Sequence, residues 1–253
     1  MGCDDVRRAL AGRMHAAHVW VVEGISVAET VELAGGHGVC YEPLGGIPIS
    51  ARDARDFARE ALGGRALLIA DDSQATFAIS APLLRGADLC LEPLGCLPEG
   101  AGAGLMAVGV ARGRSVPEAL LARLEASEAD AARPEALLAA LDGFEHAFRS
   151  ECDAACTVAS YLSCHPKVSL VRYPGLRQDP SHEAAARALH HGFGRLVDFA
   201  ATAVELSPLE SDAASLRRVG TAGEGAQAQP LWRLECRSAD AKAIALALER
   251  ALA

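Results

Sequence analysis

The chain has 253 residues, of which 51% are hydrophobic and 23% are charged, and its formal net charge is -9 at pH 7. A chain of this length can bury the core of one large domain or two small ones, while its acidic balance argues against binding to nucleic acid or an anionic membrane surface, since both need a basic face. No stretch approaches the roughly 18–20 apolar residues of a transmembrane helix and the first residues do not resemble a secretory signal, so we expect a cytoplasmic protein whose 8 cysteines are reduced thiols.

The first part of the sequence alternates between helical patterns and short apolar runs. Helices are predicted at 4–16, 26–34, 50–62 and 78–85, with a turn at 43–46. Strands are predicted at 18–22, 38–42, 65–70, 87–91 and 105–110. Because these strands are apolar along their whole length, we expect a parallel sheet covered on both faces. Functional groups should then collect at the carboxyl ends of the strands, where Glu42, Asp71 and Glu92 fall.

The pattern changes after residue 115. A long helical stretch runs to Leu141, Gly143 is expected to interrupt it, and a second helix is predicted to end at Cys164. Further strands are predicted at 168–172, 194–200 and 230–236, and further helices at 181–190 and 238–252. Residues 207–229, rich in Ser, Gly, Ala and Gln, are predicted to be a loop. The expected division is a large domain over 1–115, a connecting helix over 116–142 and a small α+β domain over 143–253.

Several short motifs occur in a specific order. YLSCHPKV begins at Tyr161, RYPGL at Arg172, PSH at Pro180 and GFG at Gly192. Weaker matches are ADDS and PLLRGAD upstream, and SL and WRL downstream. Together these motifs resemble the pyridoxal-phosphate (PLP)-dependent transsulfuration enzymes, the Cys/Met metabolism family that includes cystathionine γ-synthase, the cystathionine lyases and methionine γ-lyase. The resemblance implies an α/β fold, namely a truncated type-I PLP-transferase (aspartate-aminotransferase-like) sheet domain followed by a small α+β domain.

The resemblance implies roles for four residues. Asp71 matches the aspartate that pairs with the pyridinium nitrogen of PLP, and Ser73 stands in the same cofactor-binding segment. Arg233 matches the arginine that binds the substrate α-carboxylate, and Ser215 matches a residue lining that pocket. Structural interpretations stand beside these roles, since Asp71 could cap the next helix and Arg233 could pair with a nearby acid such as Glu235.

The Schiff-base lysine of the family has no counterpart here. The family carries the segment HSATKY after its GAD motif, whereas this chain reads EPLGCL, which puts Cys96 at the lysine position. The chain has only two lysines, Lys167 and Lys242, and both are expected to be surface charges. The part of the family fold that supplies the phosphate-binding loop also finds no match. The resemblance therefore implies no catalytic residue and no PLP binding by the chain on its own.

Cysteines raise two further questions. Cys96 is either a small hydrophobic side chain in the core or a thiol that faces the former active-site cleft. Cys152 and Cys156 are spaced to share one helix face, a spacing that can bind zinc. Cys164 and His165 do not complete a zinc-binding spacing, so we expect no metal site.

The leading hypothesis is a catalytically inactive subunit, a pseudoenzyme, that assembles with itself or with a full-length family member. The alternative is a PLP-dependent lyase or synthase of sulfur amino-acid metabolism, acting on cystathionine, homoserine derivatives or methionine, whose PLP site is completed by another chain. A thiol-based role, in which Cys96 carries a sulfur species, and a gene product without a selected role remain open.

Overall fold

A computed structural model describes residues 2–34, 38–57, 66–129, 134–201, 206–223 and 228–252. The helices are α1 (Cys3–Met14), α2 (Val27–Leu33), α3 (Thr76–Ile79), α4 (Glu118–Ala126), α5 (Pro134–Ser163), α6 (His182–Ala188) and α7 (Ala241–Leu252). The strands are β1 (His18–Glu23), β2 (Val39–Tyr41), β3 (Leu44–Gly45), β4 (Ser50–Ala51), β5 (Leu68–Asp71), β6 (Leu89–Pro93), β7 (Leu105–Val110), β8 (Val168–Arg172), β9 (Leu196–Ala201), β10 (Leu209–Glu210), β11 (Ala214–Ala222) and β12 (Gln229–Cys236). Within these ranges no helix combines the length and hydrophobicity needed to span a bilayer.

The chain divides into two compact units. The first comprises Met1–Pro43 and Arg52–Glu145, and the second comprises Leu44–Ala51 and His146–Ala253. The short hairpin β3–β4 thus belongs to the second unit although it lies between segments of the first in sequence. Helix α5 begins in the first unit and continues into the second.

The first unit is built on a mixed sheet of strand order β1-β7-β6-β5-β2. Strands β2, β5 and β6 are parallel, as predicted, whereas β7 runs antiparallel to both β6 and β1. A parallel connection needs a crossover of a dozen or more residues, usually a helix. Only short 3-10 turns separate β6 from β7, at Leu94–Cys96 and Pro98–Gly100, which is why the chain reverses there.

The apolar runs predicted to be strands are confirmed as buried strands in the core of the first unit. Ile69, Leu91 and Val108, one from each of β5, β6 and β7, are completely buried. Leu120 and Leu124 of α4 pack against this cluster. Burying side chains of this size contributes roughly 1.5–3 kcal/mol each, so this core stabilises the sheet that carries Asp71 and Glu92.

The second unit is built on an antiparallel sheet of order β10-β11-β12-β9-β8. Its core contains Phe199 of β9 and Trp232 and Leu234 of β12, which belong to the same buried cluster as residues of α5 and α7. Tyr173 is fully buried, and its hydroxyl lies 3.1 Å from the Cys152 carbonyl oxygen and 3.0 Å from that of Gly194. The α+β architecture predicted for this half of the chain is confirmed.

Several predictions of local structure are wrong. The helix predicted at 78–85 is divided into α3 and a separate 3-10 turn at Pro82–Arg85, and the helical stretch predicted to run to Leu141 is interrupted after Ala126. Residues 207–229 are not a loop, because β10 and β11 lie there and β11 pairs with β12 from Ala214 to Ala222. Ser50 does not start a helix, because it pairs with Gly45 in the β3–β4 hairpin, and helical residues begin at 54. The part of that helix predicted at 58–62 lies outside the described residues. Gly143 does not interrupt a helix either, since α5 runs through it.

Candidate functional site

Asp71 and Ser73 lie together at the end of β5. Asp71 is the last residue of the strand and is paired in parallel register with Leu91 of β6. Its Oδ1 accepts a hydrogen bond from the Ser73 amide at 3.1 Å and a second, shorter one from the Ser73 hydroxyl. Asp71 therefore stabilises the turn that follows β5. It does not cap α3, since α3 begins only at Thr76. Among the described residues, no hydrogen bond to Asp71 Oδ2 is found.

Asp72 and Glu92 form a buried acidic pair, of which the sequence pointed only to Glu92, as a strand-end residue. Asp72 is 1% exposed and, within the described part of the chain, neither of its carboxylate oxygens has a hydrogen-bond partner of good geometry, although the Ser80 side chain lies close enough to lower its pKa. Glu92 is completely buried; its Oε2 accepts the Phe77 amide at 3.0 Å, and its Oε1 has no partner there. Only the motif position of Asp72 and the strand-end position of Glu92 could have pointed to them.

Burial determines the protonation of this acidic pair. Loss of hydration and, to a smaller extent, the nearby charge of Asp71 raise the pKa of Asp72 to about 7, against the opposing effect of a hydrogen bond from the Ser80 side chain. Burial also raises the pKa of Glu92 well above its usual range, and the charge of Asp72 adds to this effect. The Glu92 carboxyl therefore keeps its proton to a higher pH than an exposed glutamate does, and Asp72 titrates near neutral pH.

Cys96 is the last residue of the 3-10 turn that follows β6. Its side chain is partly buried, and its Sγ lies 3.6 Å from the carbonyl oxygen of Pro93. The neighbouring Leu94, in contrast, is completely buried. Cys96 is thus neither a fully buried core residue nor a fully exposed thiol.

Both lysines belong to the second unit, whereas Cys96 belongs to the first. Lys167 donates a hydrogen bond from Nζ to the carbonyl oxygen of Leu252 at 2.5 Å, at the C-terminal end of α7. Its predicted role as a simple surface charge is therefore incomplete, because the ammonium group caps a helix, where a cation is stabilising. Lys242 is exposed on α7, as predicted.

Arg233 of β12 is 8% exposed and is engaged by the chain itself. Its Nε donates to Asp198 Oδ1 at 2.7 Å and its Nη2 donates to Asp198 Oδ2 at 2.8 Å, which is a bidentate pair. The partner suggested from the sequence, Glu235, is wrong, because the strand register puts Asp198 of β9 directly opposite Arg233. Glu235 instead pairs with Arg195 and Arg237.

Ser215 of β11 is 5% exposed and lies opposite Glu235. Its hydroxyl is 3.4 Å from Glu235 Oε2, a weak hydrogen bond. Ser215 and Arg233 therefore share the β11–β12 pair but contact different acids. Among the described residues there is no group of three or more His, Cys, Asp and Glu side chains placed to hold a metal ion.

Comparison with known proteins gives a match to one family over most of the chain. Residues 39–219 match the family model described as "Cys/Met metabolism PLP-dependent enzyme". The cystathionine γ-synthase of Mycobacterium tuberculosis (strain H37Rv) is 56% identical over 43 residues, which is 17% of this chain and 11% of that protein. The L-methionine γ-lyase of Fusobacterium nucleatum is 27% identical over 136 residues, which is 53% of this chain and 34% of that protein. The matched segments thus span only 11% to 34% of these relatives.

Solved structures share the fold. A methionine γ-lyase from Micromonospora echinospora, solved in its apo form, superposes with a TM-score of 0.78 at 17% identity, covering 99% of this chain and 86% of that one. A cystathionine γ-synthase from Xanthomonas oryzae, solved with aminoacrylate and cysteine, gives 0.78 at 18% identity, covering 98% and 84%. At this identity the similarity establishes the architecture, and the type-I PLP-transferase fold is confirmed.

Proposed function

Because the chain belongs to the Cys/Met metabolism PLP-dependent enzyme family, we propose that it is a pseudoenzyme of that family. In this proposal it is a cytoplasmic subunit that forms no imine with PLP and catalyses no transsulfuration reaction on its own. The observation that carries the proposal is Cys96, which stands where the resemblance places the Schiff-base lysine.

The chemistry of an imine explains why Cys96 matters. When bound, PLP supplies an electron sink for carbanions formed on the substrate, and enzymes hold it through the primary amine of a lysine. A thiol cannot replace that amine. The chain has only two lysines. Lys167 donates a hydrogen bond to the carbonyl oxygen of Leu252, and Lys242 is exposed on α7.

The other residues implied by the resemblance fit a PLP site only in part. Asp71 keeps one carboxylate oxygen open, which suits a pyridinium N–H. Arg233 does not fit a substrate carboxylate, because Asp198 already occupies its guanidinium. In this proposal the described residues do not make a working PLP site on their own.

The proposed partners are a second copy of this chain or a full-length family member. Three large hydrophobic side chains are exposed in the described part of the chain: Ile47 at 59%, Leu84 at 66% and Leu246 at 52%. Single exposed side chains of this kind also occur on free surfaces, so these three are candidate contact positions for the proposed assembly. Mass photometry of the chain alone, and after mixing with a purified family enzyme, tests the assembly; a stable monomer in both cases would contradict it.

A second candidate function is favoured by Asp71. Its open Oδ2 could accept a hydrogen bond from the pyridinium ring of PLP. If another chain supplied the lysine and the phosphate-binding loop, the assembly would be a lyase or synthase of sulfur amino acids. Mixed-subunit assays with cystathionine or O-acylated homoserine test this candidate. Asp71→Asn should abolish the activity of the mixture, whereas unchanged activity would remove the candidate.

A further inference from the structure

The carboxylate of Asp198 accepts the same kinds of hydrogen bond that proteins donate to a bound carboxylate ligand. The guanidinium of Arg233 holds both of its oxygens, at 2.7 and 2.8 Å. The backbone amide of Ile49 donates to Asp198 Oδ2 at 2.6 Å. A planar guanidinium fork and a backbone amide that converge on one carboxylate are the donors that proteins use to bind small carboxylate anions.

The hairpin β3–β4 closes this arrangement within the second unit. The carbonyl oxygen of Gly46 accepts a hydrogen bond from Arg233 Nη2 at 2.6 Å. Gly46 has a φ of +81°, a conformation that residues with a side chain rarely adopt. With Asp198 completely buried and Arg233 8% exposed, the guanidinium has little surface left for an external anion.

The surroundings of Asp198 are positively charged. In the strand register, Arg217 of β11 lies opposite Arg233, Arg233 opposite Asp198, and Asp198 opposite Arg172 of β8. Residues directly opposite each other in antiparallel strands point to the same face of the sheet. Three arginines and one aspartate therefore form one row across the sheet, with more positive than negative charge. Such a row attracts anions, and Asp198 is the anion at its centre.

We propose that Asp198 is a built-in carboxylate ligand of Arg233, which closes a carboxylate-binding site that the fold still contains. Removing the Asp198 side chain then opens a site for a small monocarboxylate. This inference rests on the proposed function. An Arg233 that already binds Asp198 would be a second reason, independent of Cys96, for the chain to bind no amino-acid substrate.

The test is rescue of Asp198→Ala by sodium acetate, measured as the thermal midpoint in an acetate titration, with sodium chloride at matched ionic strength as control. The variant should unfold at a lower temperature than the parent and be stabilised by acetate, because a ligand that binds only the folded state raises its midpoint. The parent and the double variant D198A/R233M should not respond. We expect acetate to bind Asp198→Ala at least about tenfold more tightly than the parent.

Equal stabilisation of the parent by acetate would overturn the proposal, since the site would then be open. A folded Asp198→Ala that responds to acetate no more than to chloride would overturn it as well. Should the variant fail to fold in chloride, refolding in acetate provides the readout: recovery supports the proposal and no recovery contradicts it. None of these results depends on PLP, so failure of this inference is distinguishable from failure of the pseudoenzyme proposal.

Discussion

Asp72 and Glu92 are carboxyl groups from neighbouring parallel strands that meet in one buried environment. Asp72 directly follows β5, and its amide donates to the carbonyl oxygen of Leu91, the residue before Glu92 in β6, at 2.9 Å. Burial raises the pKa of both groups, that of Asp72 to about 7. Two ionised carboxylates in such a place repel each other, so the folded state retains protons that the unfolded chain releases.

The stability of the first unit should therefore decrease as the pH rises from about 4 to about 7, since the folded state binds more protons than the unfolded state over that window. For Asp72 the loss is on the order of 4 kcal/mol at most. Tyr41 and Cys90, which face this pair, stay neutral because burial raises the pKa of each. Asp72→Asn should unfold at a higher urea concentration than the parent at about pH 8 and show a weaker pH dependence; an unchanged urea midpoint would contradict this account.

Arg233→Met should destabilise the protein by about 3–5 kcal/mol, because it leaves the buried carboxylate of Asp198 without its counter-ion. Arg237→Met is the matched control. Its ion pairs with Glu210 and Glu235 are more exposed to solvent, and exposed pairs contribute roughly 0–1 kcal/mol. Denaturant titration of both variants gives the loss in free energy of unfolding for each. Equal losses would contradict the prediction that the buried Arg233–Asp198 pair contributes more to stability than the exposed pairs of Arg237.

Gly143→Ala should stabilise the protein by roughly 0.5–1 kcal/mol. Gly143 is exposed in the interior of α5, and a Cβ built there has no atom within 4 Å. Gly175→Ala is the opposing control, since its Cβ would lie 2.4 Å from the ring of Tyr173, and the variant should lose roughly 1–3 kcal/mol. A destabilised Gly143→Ala would mean that α5 is broken at Gly143, as its sequence suggested.

The predictable part of the fold is the part that local pattern determines. The apolar runs at Val19–Val22 and Leu68–Ala70 are strands because each buries successive side chains in the sheet. Strand β11 was not predicted because its polar composition is typical of a loop. It forms a strand because it pairs with β12 on one side and β10 on the other. Pairing between distant segments is not visible in composition.

The candidate site shows the same limit. Motif positions pointed to Asp71, Ser73 and Arg233 as candidates, but not to Asp198, the carboxylate that binds Arg233. Asp198 is the partner of Arg233 only through the register of β9 and β12, a contact between residues 35 positions apart. The acidic pair Asp72 and Glu92 likewise arises because β5 and β6 are neighbours, which no single segment of the sequence encodes.

A pseudoenzyme of this family should have no amine that forms an imine with PLP. The direct measurement is incubation with PLP, reduction with borohydride and intact-mass spectrometry followed by peptide mapping, with a full-length family enzyme as positive control. The account predicts an unmodified parent chain beside a fully modified control enzyme. A reduced phosphopyridoxyl group on Lys167 or Lys242 at one PLP per chain, accompanied by the absorption of an internal imine, would contradict it.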